Sequence, residues 1–435
     1  MLINPLKTIK SNDYDNKISN SDVISDIISF LIKEHSEYLS DIEINRKIVE
    51  NIVREKVYKE YSNMNTETTI KNILDRLFGY YILQKYIDDA EISDIRVNRY
   101  DNIYVKRNGT WQKTKDSFQS KEDFLNFVRY CVLKNNGKIT NETPIVVVSD
   151  RNNNLRIEAG MEPVNVESPN LVIRIHRPEK NQTLEELFIS SAEMMDAKIY
   201  NFLNKAIISG CNIVISGKGG SGKTTLMRNL INRIPENLSI TANEETAELY
   251  STHPNIIQRE ILKNRNEDKN ITLEKLTAHS LVMSNDVIVI GELKGAEAMM
   301  FFDAVSTGHR GYATVHADNS LSTIDRLVTL MKRDTSAQTY TDKYLRKLLS
   351  NSLDIIIFMK NFKIHEITEV IYDEESDDVK YNKLFEFETA RYENGKSIGK
   401  FKKINEPIGR VNEKIELYKA EIESSFCGLG KDEIW

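Results

Sequence analysis

Apolar residues recur at helical spacing through the N-terminal part of the chain. Val23, Ile24, Ile27, Ile28 and Leu31 share one face of a segment from Asp22 to Glu37, which predicts a helix. Ser40-Asp41-Ile42-Glu43 is a capping box, in which serine and glutamate satisfy each other's backbone N–H groups. It opens a second helix carrying Ile44, Ile48, Ile52 and Val53 towards Tyr61, and a third helical stretch runs from about Thr69 to Leu77. The leading residues, 1 to about 18, are polar and without period, so they are expected to be loose. Residues 1–75 therefore read as a small helical module whose plainest role is packing or adaptation.

The period then changes from helical to alternating. Residues 93–98 and 102–106 alternate about turn residues and predict a hairpin, after which Gly109 turns the chain towards Trp111. A helix introduced by Ser120 follows from about Lys121 to Lys134, and short strands are expected at 145–149, 155–158 and 171–176. The stretch 76–180 thus reads as an α+β domain. Pro178 and the polar residues 179–182 make a linker, and Thr183-x-x-Glu186 is a capping box that opens the next domain.

From 183 to 360 strand and helix patterns alternate, with strands expected at 212–216, 238–242, 286–290, 311–316 and 354–358. Val287-Ile288-Val289-Ile290 and Ile355-Ile356-Ile357-Phe358 are apolar on both faces, as central parallel strands covered by helices must be. Residues 361–435 form a C-terminal appendage, with strands at 367–372 and 383–387 and a last helix from about 412 to 424. The acidic run 373–378 between those strands reads as a solvated turn in preference to a functional tail.

Composition narrows the class without naming a function. The 435 residues are 40% apolar and 29% charged, ordinary for a water-soluble protein with two or three domains. No apolar run approaches the ~18 residues of a membrane span, and the N-terminus lacks a signal-peptide layout, so a cytoplasmic location is expected. Cys131, Cys211 and Cys427 lie far apart without metal spacing and read as reduced structural thiols. A net charge of −6 argues against a nucleic-acid clamp.

Candidate chemistry starts at Gly217-Lys218-Gly219-Gly220-Ser221-Gly222-Lys223-Thr224, a full GxxxxGK[ST] phosphate-binding loop. A strand pattern enters it and a helical pattern, Thr225 to Ile234, leaves it. Glycines let backbone N–H groups turn inward, and the new helix adds its positive N-terminal dipole. Gly217 to Thr225 are therefore the candidate nucleotide ligands. Lys223 would reach the β- and γ-phosphates, and Thr224 would hold Mg²⁺.

In an open parallel sheet, ligands sit at the carboxyl ends of strands. Glu292, read as two residues past the strand 287–290, lies at that edge and is the candidate to polarise the attacking water and hold Mg²⁺ through water. Asp286 starts the same strand and falls at the opposite edge. Glu244-Glu245-x-x-Glu248 opens onto the active edge after strand 238–242, although acidic residues also commonly start helices. His309 and His316 are either phosphate contacts or hydrogen-bonded core histidines.

Several blocks together resemble the type II/IV secretion-system ATPases, which power pilus assembly, secretion and conjugation. They are Gly291-Glu292-Leu293-Lys294-Gly295-Ala296-Glu297-Ala298, Ser306-Thr307-Gly308-His309, Thr314-Val315-His316-Ala317-Asp318-Asn319 and Glu244-Glu245-Thr246-Ala247-Glu248-Leu249. Upstream, 92–98, 105–109, Leu155-Arg156-Ile157 and Val172-Ile173-Arg174 extend the likeness, so that it spans about 75 to 360.

The resemblance implies a RecA-like P-loop ATPase domain preceded by a PAS-like domain, with ATP and Mg²⁺ as cofactors. It also implies a homohexamer acting on an integral-membrane platform protein from the inner face of the cell membrane. Arg156 and Arg174 match the family's N-terminal-domain arginines that contact the phosphates, a role that suits guanidinium. Lys223, Glu292, Glu245, Glu248, His309 and His316 complete the candidate catalytic set.

The chain departs from the family pattern in having Val282, Ser284 and Asn285 where arginines and a proline are usual. Lys294 replaces an arginine, and Glu245 an aspartate. Without a tetracysteine zinc site and with an N-terminal helical module, it looks closest to the tight-adherence pilus and conjugation branches. Two other readings stay open: a nucleotide-gated scaffold with little turnover, and a conjugation motor that handles DNA directly.

Overall fold

The computed structural model describes residues 20–39, 45–61, 66–107, 109–176, 189, 193–262, 270–393 and 396–425. The Ser40–Glu43 and Thr183–Glu186 capping boxes, the loose residues 1–18, Asn108, the linker at 178–182 and Cys427 lie outside the described residues. The chain divides into two compact units, Met1–Arg177 and Pro178–Trp435.

The first unit begins with helices α1 (Asn20–Glu34), α2 (Ser36–Leu39), α3 (Arg46–Glu60) and α4 (Thr66–Phe78). Val23, Ile27 and Leu31 of the first predicted stripe share a core with Val49, Val53 and Val57 of α3 and Ile70, Ile73 and Leu77 of α4. On α3 the buried face is offset from the predicted one: Val53 is in the core, Ile52 packs partly buried against it, and Ile48 is exposed. The first predicted helix is broken at His35, which leaves α2 as a separate short turn of helix.

After the short α5 (Gln84–Asp88) come β1 (Ile92–Arg99), β2 (Asn102–Arg107), β3 (Thr110–Lys113), α6 (Lys121–Lys134), β4 (Ile145–Asp150), β5 (Leu155–Gly160) and β6 (Asn170–Ile175). The six strands form one antiparallel sheet in the order β3-β2-β1-β6-β5-β4. Ser120 caps α6, its Oγ accepting the Asp123 N–H at 3.1 Å. Helix α6 lays Phe124, Phe127, Val128 and Cys131 onto Ile95, Val97, Ile157 and Ile173. Its Tyr130 joins the helical core instead.

The second unit carries α7 (Ala197–Ile208), β7 (Ile213–Gly217), α8 (Lys223–Ile231), β8 (Ile240–Glu244), β9 (Ile256–Glu260), α9 (Leu273–Ser280), β10 (Val287–Leu293), α10 (Glu297–Ser306), β11 (Arg310–Val315), α11 (Ser320–Met331), α12 (Asp342–Ser352) and β12 (Ile355–Lys360). It continues through β13 (Lys363–Asp373), β14 (Asp378–Glu393), β15 (Lys396–Lys403), α13 (Arg410–Leu417) and α14 (Lys419–Ser425). All nine strands share one sheet, ordered β15-β14-β13-β12-β7-β11-β10-β8-β9. Strands from β12 to β9 run parallel, and β13 to β15 extend the sheet antiparallel.

Strand β7 lies between two cores. Ile213 and Ile215 pack with α7, α8 and α13 on one face, and Val214 packs with α10, α11 and α12 on the other. Successive side chains of a strand point to opposite faces, so a strand covered on both sides reads as an unbroken apolar run. The fold is mixed α/β, as the alternation predicted.

The C-terminal strands are longer than the pattern indicated, and β9 and β15 were not read from it. Polar positions of β13 to β15 pair across strands instead of marking turns: Lys402 meets Glu388 at 2.7 Å, and Lys383 meets Glu366 at 3.5 Å. The acidic run forms the turn between β13 and β14. The last predicted helix is two, α13 and α14, parted at Tyr418. Among the described residues no helix is long and apolar enough to cross a membrane. Cys131 and Cys211 are free and buried, and burial pushes each thiol up to about 12.

Candidate functional site

The carboxyl ends of β7, β11, β10 and β8 stand side by side, because these four strands are consecutive and parallel. Fully buried Ile213 to Gly217 deliver the chain to the phosphate loop, and α8 starts at Lys223. Gly217 has φ 146°, and a Cβ there would fall 2.3 Å from the Met359 carbonyl of β12. Ser221 N–H closes the loop on Lys218 O at 3.2 Å.

Lys223 is 7% exposed, and its Nζ donates to Gly217 O at 2.9 Å and Lys218 O at 3.0 Å. Burial pulls its pKa down, and the carboxylates of Glu292 and Glu248 push it back. Ser221 Oγ is buried without a hydrogen-bond partner among the described residues. A buried ammonium, an unpartnered hydroxyl and a helix N-terminus together make a cradle for an oxyanion. Thr224 and Thr225 sit half-buried in the first turn of α8.

Beside this cradle the charged side chains form a chain. Glu292 Oε1 lies 2.7 Å from His316 Nε2, and Glu292 Oε2 lies 3.1 Å from Lys294 Nζ. Lys294 Nζ also donates to Glu245 Oε2 at 2.7 Å. Burial works against the charge on Lys294, but the two carboxylates hold its pKa above the ordinary value. The pKa of His316 is held down, first by burial and then by Lys223, Lys294 and Arg326, against the pull of Glu292. Lys218 Nζ and Asp318 Oδ1 stand 3.6 Å apart at the exposed rim.

Three placements differ from expectation. Glu292 lies inside β10 instead of past its end, since the strand resumes after a register shift and pairs Leu293 with Val315. Glu244 likewise ends β8. His309 precedes β11, and Arg310 pairs with Val287 at the start of β10. That puts His309 at the sheet edge opposite the phosphate loop, where its Nδ1 contacts Ala304 O at 3.1 Å. Asp286 is at that same edge, holding Ser239 N at 2.7 Å.

Arg156 and Arg174 belong to the first unit, where they are direct partners across β5 and β6. Arg174 Nε donates to Asp94 Oδ1 at 3.2 Å.

The family described as type II/IV secretion system protein matches residues 80–363. The chain belongs to that family. It is similar to the type IV secretion system protein VirB11 of Bartonella quintana (strain Toulouse), with 26% identity over 325 residues, 67% of this chain and 91% of that protein. VirB11 of Brucella suis biovar 1 (strain 1330) is 24% identical over 338 residues, covering 71% and 92%. Among solved structures, the pilus retraction motor PilT with bound ADP aligns with a TM-score of 0.49 and 17% identity over 82% of this chain and 91% of that one.

One residue at this family's phosphate-loop edge escaped the candidate set. Glu244 is 4% exposed, and its Oε1 accepts the N–H groups of Glu248 and Leu249, both at 3.0 Å. Burial pushes its pKa up to about 8. It packs against Gly291, where a Cβ would stand 2.9 Å from Glu244 Cγ. The available sequence signal was a carboxylate directly following the strand read at 238–242; that Gly291 stands opposite it is set by the pairing of β8 with β10.

Proposed function

We propose that this secretion-system ATPase hydrolyses ATP to ADP and phosphate as one subunit of a hexameric ring that drives a membrane-embedded platform. The observation that carries the reading is the Glu292 carboxylate, held between His316 and Lys294 beside the buried Lys223 ammonium.

In this reading the loop N–H groups and Lys223 bind the β- and γ-phosphates, replacing the loop carbonyls that Lys223 now contacts. Glu292 orients the attacking water and draws its proton, and His316 fixes the carboxylate's direction. Among the described residues no group of three or more His, Cys, Asp or Glu side chains is arranged to hold a metal. That suits Mg²⁺, which keeps waters and substrate phosphates as ligands. Thr224 and, through water, Glu292 would hold it, and it would neutralise charge on the phosphate oxygens. Arg156 and Arg174 would reach the nucleotide on domain closure, and the movement would be transmitted to the platform.

The relatives named for type IV secretion support the secretion and conjugation side of the family, and the lack of a membrane-spanning helix among the described residues fits peripheral attachment at the inner face of the membrane. Glu292→Gln is expected to bind ATP nearly as wild type and to stop hydrolysis. A Glu292→Gln protein with the wild-type rate would remove the catalytic assignment. A strict monomer by mass measurement, with and without a non-hydrolysable ATP analogue, would remove the ring.

A further inference from the structure

The turn joining β12 to β13 has two residues, Asn361 and Phe362, between the paired Lys360 and Lys363. Both have positive φ, 51° and 61°. Tight hairpins of this form favour asparagine followed by glycine, because a side chain with Cβ is strained at the second position. Phenylalanine there breaks the local rule, and such violations concentrate at functional sites.

This turn sits on the phosphate loop. Phe362 N–H donates to Ser221 O at 3.1 Å. Its ring edge stands 3.0 Å from where a Cβ on Gly222 would be, so only glycine at 222 admits the contact without a shift. The other face of the turn is not buried: Phe362 is 50% exposed. A strained aromatic thus gains only part of the stabilisation that full burial would give, yet is fixed by a backbone hydrogen bond to the loop itself.

Strand order gives this ring a direction. β7, which feeds the loop, has β11 and β10 on one side and β12 on the other. Glu292 and His316, the groups that would face a γ-phosphate, lie on the β11 side. A nucleotide whose γ-phosphate points that way directs its ribose and base towards β12, where Phe362 stands. We infer that Phe362 is the shelf on which the nucleotide base stacks. The inference rests on the proposal that ATP occupies the loop. Stacking on one ring reads a π-face and no hydrogen-bond pattern, so this contact gives affinity for a nucleoside triphosphate without strong choice among bases.

The test is calorimetric binding of ATP, GTP and inorganic tripolyphosphate to the full chain. Phe362→Asn keeps a residue that tolerates positive φ and removes the ring; Phe362→Tyr restores a ring. The expected result is that Phe362→Asn weakens ATP and GTP about tenfold, as loss of one base stack does, and leaves tripolyphosphate within about twofold. Phe362→Tyr is expected to match wild type. Unchanged ATP affinity in Phe362→Asn, or an equal loss for ATP and tripolyphosphate, overturns the stacking role and leaves the loop's assignment standing. A wild-type protein that binds neither ATP nor tripolyphosphate overturns both.

Discussion

His316 Nε2 lies 2.7 Å from Glu292 Oε1, a contact that spans the ends of the neighbouring parallel strands β11 and β10. Burial and the cations Lys223, Lys294 and Arg326 hold the imidazole pKa below its usual value, and Glu292 Oε1 has no aligned hydrogen-bond partner among the described residues, so an N–H donated by the neutral ring is what would aim it. In a His316→Gln protein the side-chain amide can place an N–H near the same point. We expect that variant to keep most of the ATPase rate, and His316→Ala to lose on the order of tenfold to a hundredfold in kcat. Steady-state phosphate release measures both, and equal rates in the two variants would remove the donor role.

Lys294 Nζ bridges Glu245 and Glu292, at 2.7 and 3.1 Å. Removing it brings like charges together without this shared partner, whereas arginine keeps the charge. Lys294→Gln is expected to lower kcat by about tenfold and Lys294→Arg by much less, a difference of about 1.4 kcal/mol in transition-state stabilisation. Parallel single-turnover and ATP-binding measurements separate the chemical step from affinity; a loss confined to binding would contradict it.

Glu244 gives a pH dependence of stability. Its pKa rises from 4.5 to about 8 on folding, mainly by burial, so between those values the folded chain holds a proton that the unfolded chain releases. This contribution is fully present below pH 4.5, declines as pH rises, and is gone above about 8. Glu244→Gln cannot ionise and retains an acceptor for the Glu248 and Leu249 N–H groups. Urea melts from about pH 4 to about pH 9, which bracket that window, are expected to show a weaker decline in stability for Glu244→Gln than for wild type. Parallel curves would place the Glu244 proton elsewhere.

In the first unit, Arg76 and Asp123 form a buried ion pair between α4 and α6, with the guanidinium 4.1 Å over the Tyr81 ring. Asp123→Ala leaves a buried cation unpaired and is expected to cost about 3–5 kcal/mol in chemical denaturation. Arg76→Met with Asp123→Leu together should recover most of that loss, because no buried charge remains. A double variant no more stable than Asp123→Ala alone would show that the pair contributes geometry as well as charge balance.

Much of this architecture was legible where one residue pattern had one physical solution. The run 287–290 had to be a strand covered on both faces, and it feeds both cores of the second unit. The capping serine at 120 and the helical positions Ile27, Leu31 and Val53 were likewise local statements. β9 and β15 were not legible, because half-exposed edge strands with several polar residues alternate weakly and look like turns. The ends of β8 and β10 were misjudged for a related reason: a carboxylate reads as lying past a strand end, yet Glu244 stays in β8 by accepting the Glu248 and Leu249 N–H groups, and Glu292 stays in β10 beside Lys294 and His316.

By itself, then, the sequence determined the phosphate loop, the covered parallel strands and the carboxylates near their ends, since glycine conformation, apolar periodicity and strand direction are set by adjacent residues. Only the tertiary structure decided which of those groups meet. It joined Glu245, Lys294, Glu292 and His316 into one chain, carried His309 to the far edge, and set Phe362 against Gly222. Strand order places residues many positions apart at one sheet edge, and no local pattern encodes that order.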